Sequence, residues 1–369
     1  MAAQSKGMVL INRRRFLLLM ASAPLIAQPP AELDWQNAQT FTVEGLGFHD
    51  LKSPYDRLPS RAENVVRQAV WDLSRDSSGV LVRFIANTTT IHARWTLTGK
   101  TLAAPTITAT ASSGLDLYAK TDAGRWHWLG IGKPTGFPDN TDMLADGLPA
   151  ERREYMIYLP LRNGITSLEI GVSKGSTIEK GPARPAERKS IVFYGTSITH
   201  GISASRAGMT HPAILGRMFN REVINLGFSG NGRMEPEVTK FVAELDPAVF
   251  VLDCLPNMTA KDINERAEGC VTILRTAHPK TPILLVEDRN YANNFLNASR
   301  RQRNETNHAA MRAVYAKLRR DKVPNLHYLK ADHLLGDDGE GTIDGSHPTD
   351  LGFMRQATDF QKALRKILK

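Results

Sequence analysis

From about residue 33 to residue 178, apolar and polar positions alternate in short runs parted by clusters of Gly, Asn, Asp and Pro. A period of two is that of a strand, whose successive side chains point to opposite faces. The runs lie at 79–85, 90–96, 105–111, 115–118, 125–129, 155–159 and 167–171. Many short strands with turn signals between them predict an antiparallel, jelly-roll-like β-sandwich over residues 33–180. Trp126 and Trp128 share one face of a run. They are assigned to the sandwich core, with an exposed pair stacking on a sugar as the alternative.

Residues 181–189 carry Pro and charge without an apolar period and are read as a linker. Beyond them the pattern changes. Apolar runs at 190–194, 223–226, 248–252, 282–286 and 326–329 alternate with helix-period segments at 209–220, 235–245, 260–277, 304–320 and 350–368. Five strand–helix alternations predict an α/β domain over 190–369, a flavodoxin-like three-layer arrangement with a parallel sheet covered on both faces. Functional residues of such sheets gather beyond the carboxyl ends of the strands.

The chain begins with a different pattern. Arg13, Arg14 and Arg15 precede a greasy run from Phe16 to Ala27, and Gln28-Pro29-Pro30 follows. A basic start, a short apolar run and a small residue describe an export signal over 1–27, and the paired arginines give it twin-arginine character. The run is too short for a stable membrane span. The reading places the protein outside the bacterial cytoplasm, periplasmic or extracellular. The 369 residues hold 47 Lys+Arg and 38 Asp+Glu, net +9. The signal contains four of those bases and no acid, which leaves +5 for the remainder. That is too mild to argue for a nucleic-acid partner. Cys254 and Cys270 form no CxxC pair, so a structural zinc has no support, and both are expected as buried free thiols.

Candidate chemistry follows the strands of the second half. Gly195-Thr196-Ser197 comes after the first, Gly227 to Gly232 after the second, and Asp253 to Asn257 after the third. Asp344-Gly345-Ser346-His347-Pro348 follows the fifth. A serine hydroxyl is a weak nucleophile until a base takes its proton. His347 is the candidate base, and Asp344 the acceptor that holds its other ring N–H. Oxyanion donors are sought in the N–H groups of Ser197 and Gly230 and the side-chain amide of Asn257. Gly227 and Gly232 are read as turn glycines. No metal or organic cofactor is needed for this chemistry. His200 and His211 are read as loop or helix-face histidines, with His200 near enough in sequence to touch substrate. Glu287-Asp288 is read as a solvated loop pair.

Ser197, Gly230, Asn257 and His347 stand in the order of the four letters of the SGNH hydrolases, also called GDSL esterases, and the chain resembles that family over residues 190–369. Gly114-Leu115-Asp116-Leu117-Tyr118 resembles the GxDLY signature of a β-domain that precedes some members. Two positions depart from the pattern. Thr196 stands where many members carry Asp, and Leu255 where the third block usually has Gly. The resemblance implies a serine esterase that cleaves short acyl esters, commonly acetyl groups on carbohydrates, with a small-molecule or oligosaccharide ester as partner. A lipase, thioesterase or transacylase of the same fold, or a non-catalytic carbohydrate-binding protein, is the alternative.

Overall fold

The computed structural model describes residues 32–185 and 187–368. The proposed export signal lies outside them. The N-terminal half contains ten strands: β1 (Leu33–Asn37), β2 (Thr42–Glu44), β3 (Leu81–Ala86), β4 (Ile91–Leu97), β5 (Leu115–Lys120), β6 (Trp126–Gly132), β7 (Asp139–Ala145), β8 (Arg153–Tyr158), β9 (Ile165–Ser173) and β10 (Ile178–Lys180). They pair antiparallel in two sheets. One runs β1-β9-β4-β7; the other runs β10-β3-β8-β5-β6, with β2 also on β3. Inward residues of both, among them Val82, Phe84, Trp95, Leu117, Ile157 and Ile170, form one core. β3 is buried on both faces, because Leu81 faces the C-terminal half while Val82 and Phe84 face the sandwich. Helices α1 (Gln68–Ser74) and α2 (Ala109–Ser112) complete this half.

The run at 105–111 was expected as a strand and is not one. Thr108 accepts a hydrogen bond from the N–H of Ala111 and starts the turn of α2, while Ala104 and Ile107 bridge each other. A threonine side chain at an N-cap competes with strand pairing for the same backbone. β7 carries no alternating apolar signal because it is polar, Asp-Asn-Thr-Asp-Met-Leu-Ala, and sits at a sheet edge. The tryptophan pair is not sandwich core. Trp126 is half-buried against the C-terminal half and Trp128 is 50% exposed.

The C-terminal half alternates as its pattern requires. Strands β11 (Ile191–Gly195), β12 (Val223–Gly227), β13 (Val249–Asp253), β14 (Ile283–Val286) and β15 (Leu326–Leu329) pair in parallel in the order β12-β11-β13-β14-β15. This is the flavodoxin-like order, whose switch point lies beside the first strand. Helices α3 (Ser197–His200), α4 (His211–Phe219), α5 (Pro236–Val242), α6 (Ala260–Ala277), α7 (Ala298–Arg320) and α8 (Asp350–Ile367) follow in chain order. α4 and α8 pack together on one face of the sheet; α5, α6 and α7 cover the other. Both faces are therefore apolar, and all five residues of β11 and of β13 are buried. Cys254 and Cys270 are free and buried. Among the described residues no helix is long and apolar enough to cross a membrane.

Candidate active site

Ser197 opens α3 immediately beyond β11, at the switch point of the sheet. Thr196 caps the helix by accepting from the N–H of Ile198 at 3.3 Å. An Asp side chain, also a favoured helix N-cap, could accept the same bond. Thr199 ties the same turn to the end of β13, its hydroxyl donating to Asp253 Oδ2 at 2.9 Å. Asp253 is held in turn by both terminal nitrogens of Arg289, and Arg289 Nε donates to Gln356 at 2.8 Å. All four side chains are buried, and the ion pair is hydrogen-bonded by Thr199 on one side and Gln356 on the other.

The structure brings Ser197, His347 and Asp344 together. Ser197 Oγ lies 2.8 Å from His347 Nε2. His347 Nδ1 lies 2.7 Å from Asp344 Oδ2. Asp344 Oδ1 accepts the N–H groups of Ser346 and His347 at 2.9 and 2.8 Å. Burial pushes the Asp344 carboxyl pKa up, but the hydrogen bonds from the His347 ring and these two N–H groups outweigh it and hold it below the usual carboxylate value. An ionised carboxylate on Nδ1 keeps the proton there and leaves Nε2 free to accept from serine. The histidine loop is itself braced from the segment after β14. Ala292 N–H donates to Gly345 O at 2.9 Å, and Arg300 Nη1 donates to Asp344 O at 3.3 Å and Asn293 Oδ1 at 3.0 Å.

Gly230 and Asn257 stand beyond the ends of β12 and β13, the two strands that flank β11. Gly230 is exposed in the left-handed region at φ +71. Neither its N–H nor that of Ser197 has an acceptor among the described residues. Leu255 is buried in the core beneath and opens the short turn Leu255–Asn257, so the missing glycine is replaced by an anchor. Two neighbours orient the Asn257 carboxamide: the N–H groups of Asn231 and Gly232 both point at one end of it, which must therefore be its oxygen, and once the amide is turned to that orientation they donate to it at 3.0 and 3.2 Å. Its NH2 is then the end left over for a ligand.

Residues 188–365 match the GDSL-like Lipase/Acylhydrolase family, and residues 33–178 match the N-terminus of the SGNH-hydro-type esterases. A crystal structure from Bacteroides ovatus, described as a GDSL-like lipase, is 37% identical with a TM-score of 0.87, over 91% of this chain and 98% of that one. The chain belongs to the SGNH/GDSL hydrolase family. It is an enzyme of that family, and the match extends through the N-terminal domain. Two further structures share the fold at low identity. A salicylyl-acyltransferase from a tetracycline biosynthetic pathway has a TM-score of 0.73 at 19% identity, over 91% of this chain and 97% of that one. A family two carbohydrate esterase from Cellvibrio japonicus has a TM-score of 0.60 at 14%, over 92% and 98%. No curated protein matches this chain.

Other expectations for this hydrolase need correction. Glu287 and Asp288 are buried, not solvated. Glu287 accepts from Arg312, Tyr328 and the N–H of Ala331, and Asp288 from Arg303, so the pair fastens α7 and the segment after β15 to the end of β14. His200 and His211 sit on helices α3 and α4, as expected, and are fully buried. His200 Nε2 meets Leu161 O at 2.6 Å, in contact with the N-terminal domain. His211 lies among Phe193, Phe353 and Phe360. The bracing residues Thr199, Asp253, Arg289 and Arg300 carry no motif of their own. Only Asp253, two residues before the third block's turn, had a positional cue.

Proposed function

We propose that the protein is a serine esterase that hydrolyses short acyl esters, acetyl esters of carbohydrates above all, and that it acts after export. The observation that carries the reading is the continuous relay from Ser197 Oγ through His347 to Asp344. Ser197 Oγ attacks the ester carbonyl while its proton passes to His347 Nε2. The carbonyl oxygen becomes an oxyanion before the N–H groups of Ser197 and Gly230 and the amide of Asn257. As the carbon–alkoxide bond breaks, the proton moves from Nε2 to the departing alcohol. Water then attacks the acyl-enzyme and loses a proton to the same nitrogen, which passes that proton to Ser197 Oγ as its bond to the acyl carbon breaks, releasing the acid. The neighbouring fold of carbohydrate esterases supports the choice of sugar esters.

The test is release of p-nitrophenol from p-nitrophenyl acetate. Ser197→Ala is expected to lower kcat by at least ~10³. A fluorophosphonate probe should label Ser197 in the wild type. Absence of both turnover on a panel of acyl esters and labelling would overturn the reading.

A further inference from the structure

Beside the histidine loop lies a cleft of about 590 Å³ that both domains build. Residues 103–108 of the N-terminal domain form one wall, the loop after α3 forms the floor, and Ile343 with the start of α8 forms the other wall. The joint is firmly made. Thr108 and Thr110 hydroxyls donate to Ser205 O at 2.9 and 2.8 Å. The buried carboxylate of Asp116, within the GxDLY motif, accepts from Arg206 Nη1 at 2.9 Å and from the N–H of Gly208 at 2.7 Å. Ser205 N–H donates to Asp350 Oδ1 at 2.9 Å, which closes the floor onto α8.

The cleft adjoins the backbone of the loop that carries the reacting imidazole. Ile343 N–H donates to His347 O at 3.0 Å, Thr342 bridges Pro348, and Thr349 lines the cleft directly after them. In the acylation step the departing alkoxide must collect its proton from His347 Nε2, so the alcohol half of the ester lies at the imidazole. The carbonyl oxygen instead points to the donors beyond β12 and β13. We infer that this cleft is the subsite for the alcohol half of the ester and that it takes a sugar ring. The inference rests on the reading of Ser197 as nucleophile. The lining suits a ring with carbon-rich faces and hydroxyl edges. Ile107, Ile343 and Leu351 supply apolar surface, with Ile343 51% and Leu351 45% exposed to solvent, and Thr106 and Ser205 supply hydroxyls. The volume falls within the ~300–1,000 Å³ of small-molecule sites. The N-terminal domain thereby takes part in choosing the substrate.

Ala104→Trp fills the cleft from its exposed wall, and Ile343→Ala strips its apolar side. The measured quantity is the ratio of kcat/KM for methyl 6-O-acetyl-glucopyranoside to that for methyl acetate. Each variant is expected to lower the ratio, Ala104→Trp by about tenfold. The ratio of ethyl hexanoate to ethyl acetate, which varies only the acyl half, should stay within twofold. Unchanged sugar ratios in variants that still label with fluorophosphonate would overturn the subsite. So would an equal change in the acyl ratio. A wild type that neither labels nor turns over esters would instead remove the underlying hydrolase reading.

Discussion

At the scale of the residue, Asp344 serves two bonds at once. One oxygen orders the backbone of its own turn and the other holds the His347 ring. In Asp344→Asn the amide nitrogen, if it faces the ring, would donate to Nδ1 and move the ring proton to Nε2. Serine would then lose its acceptor. The expected result is a fall in kcat of up to about 10⁴ with little change in KM, measured on p-nitrophenyl acetate. A loss below tenfold would show that another group orients the imidazole. Ser197, Asp344 and His347 were readable because their residue types are dictated by the chemistry and sit in recognisable blocks. Glu287 and Asp288 were not, because adjacent acids after a strand look the same whether they face water or are buried against donors from α7 and the segment after β15.

At the scale of the element, the loop after β12 holds glycines of two kinds. A Cβ on Gly232 would stand 1.9 Å from Gly195 O, directly beneath the turn that carries Ser197. A Cβ on Gly230 would meet nothing within 4 Å, and only its positive φ resists a side chain. Gly232→Ala is therefore expected to destabilise by more than the ~1–3 kcal/mol of ordinary overpacking, because the obstacle is backbone. Gly230→Ala should cost about 1–2 kcal/mol in backbone strain. Urea midpoints compare the two, and equal losses would contradict the packing assignment. The parallel strands and most helices fell close to their sequence limits because continuous apolar runs and helix-period stripes are strong local signals; α3 was not expected, and α7 begins at Ala298 rather than 304. Residues 105–111 did not, because alternating Thr and Ala also suit a capped turn.

At the scale of the whole molecule, the N-terminal domain is locked to the sheet beside the site. Arg57 is fully buried and donates to Asn225 O at 3.0 Å, Gly227 O at 2.7 Å and Asp76 O at 2.8 Å. Ser78 donates to His200 O at 2.7 Å. Burial, helped by the Arg57 charge and opposed by Asp76, pushes the His200 pKa down to about 4. In the unfolded chain a histidine binds its proton near ~6.5. Between those values the unfolded state holds more protons, so stability rises with pH. The contribution is complete above about pH 6.5 and is lost as pH falls toward about 4. Burial also pushes the His211 pKa well down, which acts in the same direction. Thermal melts at pH 7, 5.5 and 4.5 should show a falling Tm, with a shallower fall in His200→Gln. Parallel slopes in the two proteins would contradict this account.

By itself the sequence determined the two fold classes, the strand–helix alternation of the C-terminal half, and which residues are candidates to attack, accept a proton and hold an oxyanion. These follow from local periodicity and from residue chemistry, which the chain states directly. Only the tertiary structure decided that Ser197 and His347, 150 positions apart, stand within hydrogen-bond distance. It also decided which charges are buried in pairs and that the GxDLY carboxylate fastens the floor of a cleft at the domain joint. Such contacts depend on how two sheets and their loops pack, and no short stretch of sequence encodes that distance.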